Sequence, residues 1–224
     1  MYRKYIKRCL DFIVALVALT ILFLPLLLLT VLTAIKMKGN PFFVQPRPGY
    51  GEKIFYLIKF RSMRNTKDAQ GNLLPDEQRL TSYGRFLRNT SLDELPELLN
   101  VLKGDMSFIG PRPQLVRDMV FMTKEQRRRH SVRPGLSGLA QVSGRNALKW
   151  ENKLELDLQY LSEISFRTDC RLCFETAKLM IFGPECAEEV EITLDFGDYL
   201  LENGDIDEAT YARRQEEARE LLGV

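Results

Sequence analysis

The chain has 224 residues, of which 45% are hydrophobic and 28% are charged. That length fits one globular domain with additional segments, and that charge excludes a bundle of membrane spans. Residues 184–224 hold thirteen acidic and three basic side chains, a net charge of −10, so the total of +2 leaves +12 on residues 1–183. A basic body favours anionic partners such as phospholipid, nucleotide or nucleic acid, and the acidic end is a separate compositional unit.

A long uncharged run near the N-terminus predicts a membrane helix. It extends from Phe12 to Ile35 and, at about 1.5 Å per residue, is long enough to cross a bilayer. Pro25 interrupts the run and predicts a bend, because proline removes a backbone hydrogen bond. Basic residues flank both ends, whereas a spanning helix concentrates them on its cytoplasmic side. The residues alone therefore leave open a spanning helix and a re-entrant helix that breaks at Pro25 and returns.

The first ten residues have an interfacial pattern. Apolar side chains, including Tyr2, Tyr5 and Ile6, share one helical face, and basic side chains cover the other. This arrangement is typical of a helix that lies on phospholipid.

Cysteine usage indicates a reducing environment. Cys170 and Cys173 have the C-x-x-C spacing, but no second pair follows that would complete a zinc site. We expect these residues, with Cys9 and Cys186, to be small, buried, reduced thiols, consistent with a cytoplasmic location.

Two short strands and a helix are predicted after the apolar run. The strands cover 42–45 and 54–63 and are separated by a segment rich in proline and glycine. In the second strand Lys59 and Arg61 alternate with apolar residues, so their side chains share a face. A face of this kind is either solvated or, beside a phosphate site, a set of contacts. A short helix is expected over 80–88.

The clearest helix signals surround Asp93 and Glu94. Ser91 with Glu94 matches a capping box, whereas Asp93 as N-cap would put Pro96 in the first turn, where proline is tolerated. Either start places both carboxylates at a helix N-terminus, where N–H groups and the helix dipole stabilise an anion. The two side chains either cap the helix only, or bind Mg²⁺ and attack a phosphorus atom.

Two later segments are rich in turn-forming residues. In Gly110-Pro111-Arg112-Pro113 two prolines fix the backbone around Arg112. The glycine-rich segment from Arg133 to Asn146 matches no known phosphate-loop class, although it has the composition to wrap a phosphate. Helices are expected over 156–165 and 168–182, followed by a short helical hairpin within 200–222. The elements together predict a mixed α/β fold that is mostly helical, with a small β-hairpin.

Read in order, these motifs resemble the bacterial sugar transferase family, and in particular its small monotopic phosphoglycosyl transferases. The resemblance rests on Gln45–Gly49, Lys59–Met63, Ser91–Pro113 and Arg133–Asn146 and covers about residues 1–182. It implies a re-entrant membrane helix over 1–37, a cytoplasmic catalytic domain over 38–183 and an acidic C-terminal helical extension over 184–224. The family breaks its helix at a Ser-Pro pair, whereas here Leu24 precedes Pro25.

The resemblance also implies a chemistry. The family's Asp-Glu dyad falls on Asp93 and Glu94: the aspartate attacks the β-phosphate of a UDP-sugar, releases UMP, and passes the phosphosugar from an aspartyl intermediate to undecaprenyl phosphate. Mg²⁺ is required, with Asp93 and Glu94 as its expected ligands, and Glu94 orients the metal or assists proton transfer. The residues expected to bind substrate phosphates are Lys59, Arg88, Arg112 and Arg145.

The same resemblance sets expectations for location and partners. We expect a monotopic protein on the cytoplasmic face of the bacterial inner membrane, in contact with phospholipid, that begins glycoconjugate or protein glycosylation. An N-acetylated sugar is expected, with galactose and glucose left open. The extension is similar to small oligomerisation modules and suggests a homo-oligomer, although a solvated acidic tail fits nearly as well.

Two other function classes compete with this interpretation. A non-catalytic, membrane-tethered scaffold that binds anionic lipid would explain the basic body, but not a carboxylate pair among basic residues that match the family. Nucleic-acid binding is not expected, because the basic residues are dispersed and no recognition motif is present.

Overall fold

A computed structural model describes residues 1–144, 148–182 and 194–223 of the chain. The fold is mostly helical, with a small two-stranded antiparallel sheet, so these predicted features are confirmed. The chain divides into two compact units. The larger unit comprises Met1–Cys9, Pro46–Tyr56 and Gly104–Val224, and the smaller unit comprises Leu10–Gln45 and Leu57–Lys103.

The helices and strands have the following bounds. The helices are α1 (Lys7–Ile21), α2 (Phe23–Met37), α3 (Asp76–Arg79), α4 (Ser82–Asn89), α5 (Glu97–Lys103), α6 (Val116–Met119), α7 (Lys124–Arg127), α8 (Leu139–Ser143), α9 (Trp150–Glu163), α10 (Phe166–Phe182), α11 (Phe196–Glu202) and α12 (Glu208–Leu222). The strands are β1 (Phe42–Pro48), β2 (Ile54–Phe60), β3 (Ser107–Ile109) and β4 (Gly135–Ser137). Strand β1 pairs with β2, and β3 pairs with β4.

The apolar N-terminal run forms two helices that meet at Leu22. Pro25 lies in the first turn of α2, where it has no N–H to bond the carbonyl of Ile21 and its ring crowds that carbonyl. The predicted bend is therefore present, but the break lies at Leu22 rather than at Pro25. No single helix in the described ranges is long and apolar enough to cross a membrane. The segments Tyr2–Ile21 and Phe23–Met37 are long and apolar enough only when taken together, and the chain bends by 67° between them.

In the smaller unit, the core forms where β2, α4 and α5 bring apolar side chains together. The buried apolar residues are Leu57, Phe60, Leu87, Leu98 and Val101. Helix α2 is tied to α4 by a 2.9 Å hydrogen bond between the hydroxyls of Thr33, which is fully buried, and Tyr83.

In the larger unit, the parallel pair β3–β4 is covered by helices. Ser107 is opposite Gly135 and Ile109 opposite Ser137 in this pair, and Ile109 packs with Tyr160 of α9 and Leu172 of α10. A Cβ atom on Gly135 would lie 2.2 Å from the backbone nitrogen of Gly110, so this close approach of two backbones requires glycine. Neither β4 nor α8 was predicted within the glycine-rich segment.

The N-terminal turn is bonded to α10 within the larger unit. The hydroxyl of Tyr2 donates to Oδ2 of Asp169 at 2.6 Å, and Nζ of Lys7 lies 2.6 Å from the same oxygen. Tyr5 and Ile6 are exposed, as an interfacial face requires.

The C-terminal extension is part of the larger unit and packs against its other helices. Phe196 is only 3% exposed and packs with Met122, Trp150 and Leu154, and its backbone N–H donates to Oδ1 of Asp118 at 3.0 Å. The predicted pair of helices is confirmed as α11 and α12. The alternative of a solvated tail does not hold at Phe196, which inserts an aromatic side chain into an apolar cluster.

The expectation of buried thiols is wrong for the described cysteines. Cys9, Cys170 and Cys173 are reduced and exposed; Cys186 lies outside the described residues. On α10 the buried side chains are Asp169 and Leu172, and the two cysteines that follow them in sequence point away from that face.

Candidate active site

Strand β2 places Lys59 between two carboxylates of the smaller unit. Its Nζ lies 2.7 Å from Oε1 of Glu94 and 3.1 Å from Oε1 of Glu97. Glu97 is 3% exposed, and the sequence analysis did not identify it. A charged group buried to this degree requires an opposite charge close by, and Lys59 supplies it.

Asn100 fixes the register between α5 and β2. Its side chain is fully buried, and its Oδ1 accepts a 3.1 Å hydrogen bond from the backbone N–H of Ile58. Glu97 and Asn100 lie one turn apart and therefore share a face of α5. The bond from Ile58 consequently sets Lys59, the next residue along β2, beside Glu97 and Glu94.

Asp93 and Glu94 lie in a short 3-10 turn, Leu92–Glu94, that precedes α5. Ser91 enters this turn in the left-handed region, with φ 54° and no side-chain cap, so the predicted capping box is absent. Asp93 is not an α-helical N-cap either, because α5 begins only at Glu97. Pro96 explains the delay, since it has no N–H to continue the turn as an α-helix.

Burial raises the pKa of the Asp93 carboxyl above its usual value of 3.8. The Lys59 ammonium opposes this shift most strongly, the Glu94 carboxylate adds to it, and the Arg88 guanidinium and the backbone N–H of Asp93 oppose it. Desolvation thus outweighs the neighbouring cations and makes the Asp93 anion a stronger base than an exposed aspartate.

Arg88 is positioned by an unusually close approach of α4 to the backbone of Ser62. A Cβ atom on Gly84 would lie 1.8 Å from the carbonyl oxygen of Ser62, so only glycine allows the helix to pack there. Arg88 lies one turn further along the same face, and its Nε donates to the Ser62 hydroxyl at 2.9 Å. Thr81 caps the start of α4 by accepting the Gly84 N–H at 2.9 Å.

Four of the six predicted site residues therefore come together in the smaller unit: Lys59, Arg88, Asp93 and Glu94. Arg112 belongs to the larger unit, where its side chain is exposed. Arg145 lies outside the described residues. The cluster combines two carboxylates that can bind a metal ion or attack phosphorus with two cations that can bind phosphate oxygens.

Comparison with known proteins identifies the family of this chain. The family model described as bacterial sugar transferase matches residues 2–183. The chain is 46% identical over 177 residues to the uncharacterized sugar transferase EpsL of Bacillus subtilis (strain 168), which covers 79% of this chain and 88% of that protein. It is 38% identical over 187 residues to the UDP-glucose:undecaprenyl-phosphate glucose-1-phosphate transferase of Caulobacter vibrioides (78% of this chain, 69% of that protein).

A longer relative shows the same likeness. The chain is 38% identical over 192 residues to the UDP-N-acetylgalactosamine-undecaprenyl-phosphate N-acetylgalactosaminephosphotransferase of Aeromonas hydrophila, which covers 80% of this chain but 44% of that protein. The chain thus spans less than half the length of this relative. The match over residues 2–183 and the identity to these transferases show that the chain is an enzyme of the bacterial sugar transferase family.

Proposed function

We propose that this enzyme transfers a sugar 1-phosphate from a UDP-sugar to undecaprenyl phosphate, with Asp93 as the nucleophile. The observation that carries the proposal is the cluster of Lys59, Arg88, Asp93 and Glu94 in a chain that belongs to this family. The names of the Aeromonas and Caulobacter relatives describe the same type of reaction.

The proposed reaction has two displacements at one phosphorus atom. An Asp93 carboxylate oxygen bonds to the β-phosphorus, and the bond from that phosphorus to the bridging oxygen breaks, so UMP leaves with the electron pair. A phosphate oxygen of undecaprenyl phosphate then bonds to the same phosphorus, and the bond to Asp93 breaks, which restores the carboxylate. The bond between the sugar and its phosphate stays intact throughout.

The cations of the cluster support these steps. Negative charge accumulates around the transferring phosphoryl group, and fixed cations stabilise it. The charges of Lys59 and Arg88 both act on Asp93. From the family resemblance we carry Arg112 and Arg145 as further phosphate contacts, and we propose that Glu94 accepts a proton from the lipid phosphate or orients the metal.

Mg²⁺ fits the donors of the cluster. Asp93 and Glu94 supply carboxylate oxygens, which Mg²⁺ prefers, and protein Mg²⁺ sites commonly use one or two carboxylates together with substrate phosphates and water. Among the described residues no group of three or more His, Cys, Asp or Glu side chains is arranged to hold a metal. Asp93 and Glu94 would hold the metal together with oxygens of the substrate diphosphate. When bound, it would neutralise charge on the diphosphate.

The location and partners form a further part of the proposal. We propose a re-entrant rather than spanning N-terminal segment, which the bend at Leu22 and the basic flanks on both sides support. The protein would then be monotopic on the cytoplasmic face of the inner membrane, in contact with phospholipid. An N-acetylated sugar, an early step of glycoconjugate or protein glycosylation, and a homo-oligomer formed through the extension remain predictions.

Release of UMP tests the proposed reaction. Detergent-solubilised enzyme is incubated with Mg²⁺, undecaprenyl phosphate and a panel of UDP-sugars, and UMP is measured. We expect one sugar to be strongly preferred and Asp93→Asn to abolish release. Asp76→Asn is the matched control, because Asp76 lies in the same unit with its side chain 72% exposed. A lipid-binding scaffold would release no UMP with any sugar.

The intermediate can be detected directly. Omitting undecaprenyl phosphate should leave a sugar-phosphate adduct on Asp93, visible by mass spectrometry of the intact protein and its peptides. An active enzyme that never carries this adduct would contradict the nucleophile assignment but not the overall reaction.

A further inference from the structure

Every backbone carbonyl of the turn Pro111-Arg112-Pro113 accepts a hydrogen bond within the larger unit. The Pro111 carbonyl accepts from the backbone N–H of Gly135 at 3.0 Å. The Arg112 carbonyl accepts from Nη2 of Arg129 at 2.6 Å, and the Pro113 carbonyl accepts from Nη1 of Arg47 at 3.1 Å. The two prolines fix φ on either side of Arg112. The backbone of this turn is therefore held both covalently and by three separate donors.

Arg129 is bound in a way that makes it unavailable to a substrate. It is 2% exposed, and its Nε and Nη2 donate to Oδ2 of Asp157 at 2.9 and 2.6 Å. Asp157 is equally buried and neutralises the guanidinium. A buried ion pair of this kind contributes little net stability compared with apolar side chains of similar volume. The clearest structural consequence of the pair is that it holds Arg129 where its Nη2 donates to the Arg112 carbonyl at 2.6 Å.

The Arg112 side chain, by contrast, is exposed. Lys153, one turn before Asp157 on α9, shares the electrostatic surroundings of Arg112: burial and the Arg112 charge both lower the pKa of the Lys153 ammonium. No ion pair to Lys153 forms among the residues that the structure describes.

We propose that Arg129, held by Asp157, is a positioning residue that fixes the turn from which Arg112 contacts the substrate phosphates, and that Arg47 braces the other end of that turn. The proposal rests on the phosphate-binding role given to Arg112 in the proposed function. It gives different roles to Arg129 and Arg47, whose side chains bind the backbone of the turn, and to Arg112, whose side chain is exposed. A fixed backbone lowers the entropy cost of orienting a long side chain on a ligand.

A double-mutant cycle with Arg112 tests the proposal. Arg129→Met combined with Asp157→Leu removes both buried charges and so avoids leaving one unpaired. We expect this pair to raise KM for the UDP-sugar roughly tenfold, a factor equivalent to about 1.4 kcal/mol, with a smaller change in kcat. In an Arg112→Ala background the same pair should add little, because residues that act as a unit are not additive.

Two further variants keep the result interpretable if the double replacement folds poorly. Arg47→Met removes the bond to the Pro113 carbonyl without touching the Arg129–Asp157 pair, and it should raise KM by a smaller factor, again only when Arg112 is present. Thr176→Val is the structural control, because it removes a 2.7 Å bond to Ser137 elsewhere in the larger unit. Unfolding midpoints are measured for all variants.

The outcomes distinguish a failure of the Arg129 positioning role from a failure of the phosphate-binding role of Arg112. An equal loss of activity from the Arg129 and Asp157 replacements in the wild-type and Arg112→Ala backgrounds would overturn the positioning role. So would a lower unfolding midpoint with unchanged KM. If Arg112→Ala alone leaves KM unchanged, the phosphate-binding role of Arg112 fails first, while UMP release and the Asp93 adduct still report on the proposed reaction.

Discussion

The ammonium of Lys59 lies 2.7 Å from Oε1 of Glu94, and it also acts on Asp93, the neighbouring carboxylate. Among the charges around Asp93, Lys59 opposes the burial-driven rise in pKa most strongly. One cation on β2 therefore limits the rise in the pKa of the proposed nucleophile and pairs with the second carboxylate of the dyad.

Replacing Lys59 should move the acid limb of the pH–rate profile. Attack requires the Asp93 anion, so activity should fall as pH decreases through the Asp93 pKa, which burial places above the usual 3.8. Lys59→Met removes the strongest opposing charge, and the limb should move to higher pH in kcat/KM measured by UMP release. Lys103→Met is the control, because Lys103 is an exposed lysine of the same unit. An unmoved limb would show that Asp93 does not set it.

Gly84→Ala should weaken both the fold and the activity, although alanine is the better helix former by about 1 kcal/mol. The new Cβ would meet the Ser62 carbonyl at 1.8 Å, so α4 must shift, at a net cost of about 1–3 kcal/mol. The shift also displaces Arg88. We expect a lower denaturation midpoint and slower UMP release. Gly39→Ala, which has no atom within 4 Å of its Cβ, should change neither, and an equal effect of the two would refute the steric argument.

His130, the one histidine of the chain, should make stability depend on pH. Burial, with repulsion from Arg129, lowers its pKa from 6.5 to about 3. The unfolded chain therefore binds a proton that the folded chain does not, and stability is lost as pH falls from 6.5 towards 3. By pH 5 the loss should be roughly 2 kcal/mol, at about 1.4 kcal/mol per pH unit.

The contribution of His130 can be isolated by His130→Asn. Urea unfolding at several pH values should show a shallower acid slope in the variant than in wild type. Parallel slopes would mean that groups other than His130 control the loss of stability in acid. Asp118 is not such a group, because its raised pKa makes the folded chain bind the proton first and so adds stability as pH falls.

Phe196→Ala tests whether the C-terminal extension is part of the folded core. The side chain is 3% exposed among Met122, Trp150 and Leu154, and truncating a buried phenylalanine costs about 3–5 kcal/mol. We expect that loss in chemical denaturation. Leu221 is 47% exposed on α12, so Leu221→Ala should lower the free energy of unfolding far less. If Phe196→Ala lowers it as little as Leu221→Ala does, the extension is only loosely attached.

The local features of the fold were largely predictable from sequence. The alternation of polar and apolar residues predicted the strands β1 and β2. Helix signals predicted α4, and the missing N–H of Pro25 predicted the bend in the apolar run. The grouping of Lys59 and Arg88 with the dyad followed from the family resemblance rather than from spacing.

Long-range contacts were not predictable. Glu97 has the appearance of an ordinary helical acid, and its pairing with Lys59 depends on the register that Asn100 sets between α5 and β2. Arg129 and Asp157 are 28 residues apart in sequence, and nothing local indicates that they meet. The start of α5 was misplaced because the 3-10 turn and an α-helical N-cap use the same residue types.

The packing of Phe196 shows that the folded region extends past the part of the chain that the family shares. The family match stops at residue 183, yet Tyr211, which lies beyond that limit, stacks on Phe121 with ring centroids 5.6 Å apart. A gene trimmed to the shared region would yield a protein with an uncovered apolar surface. We expect such a protein to aggregate, which would lower its yield and turnover whichever sugar it transfers.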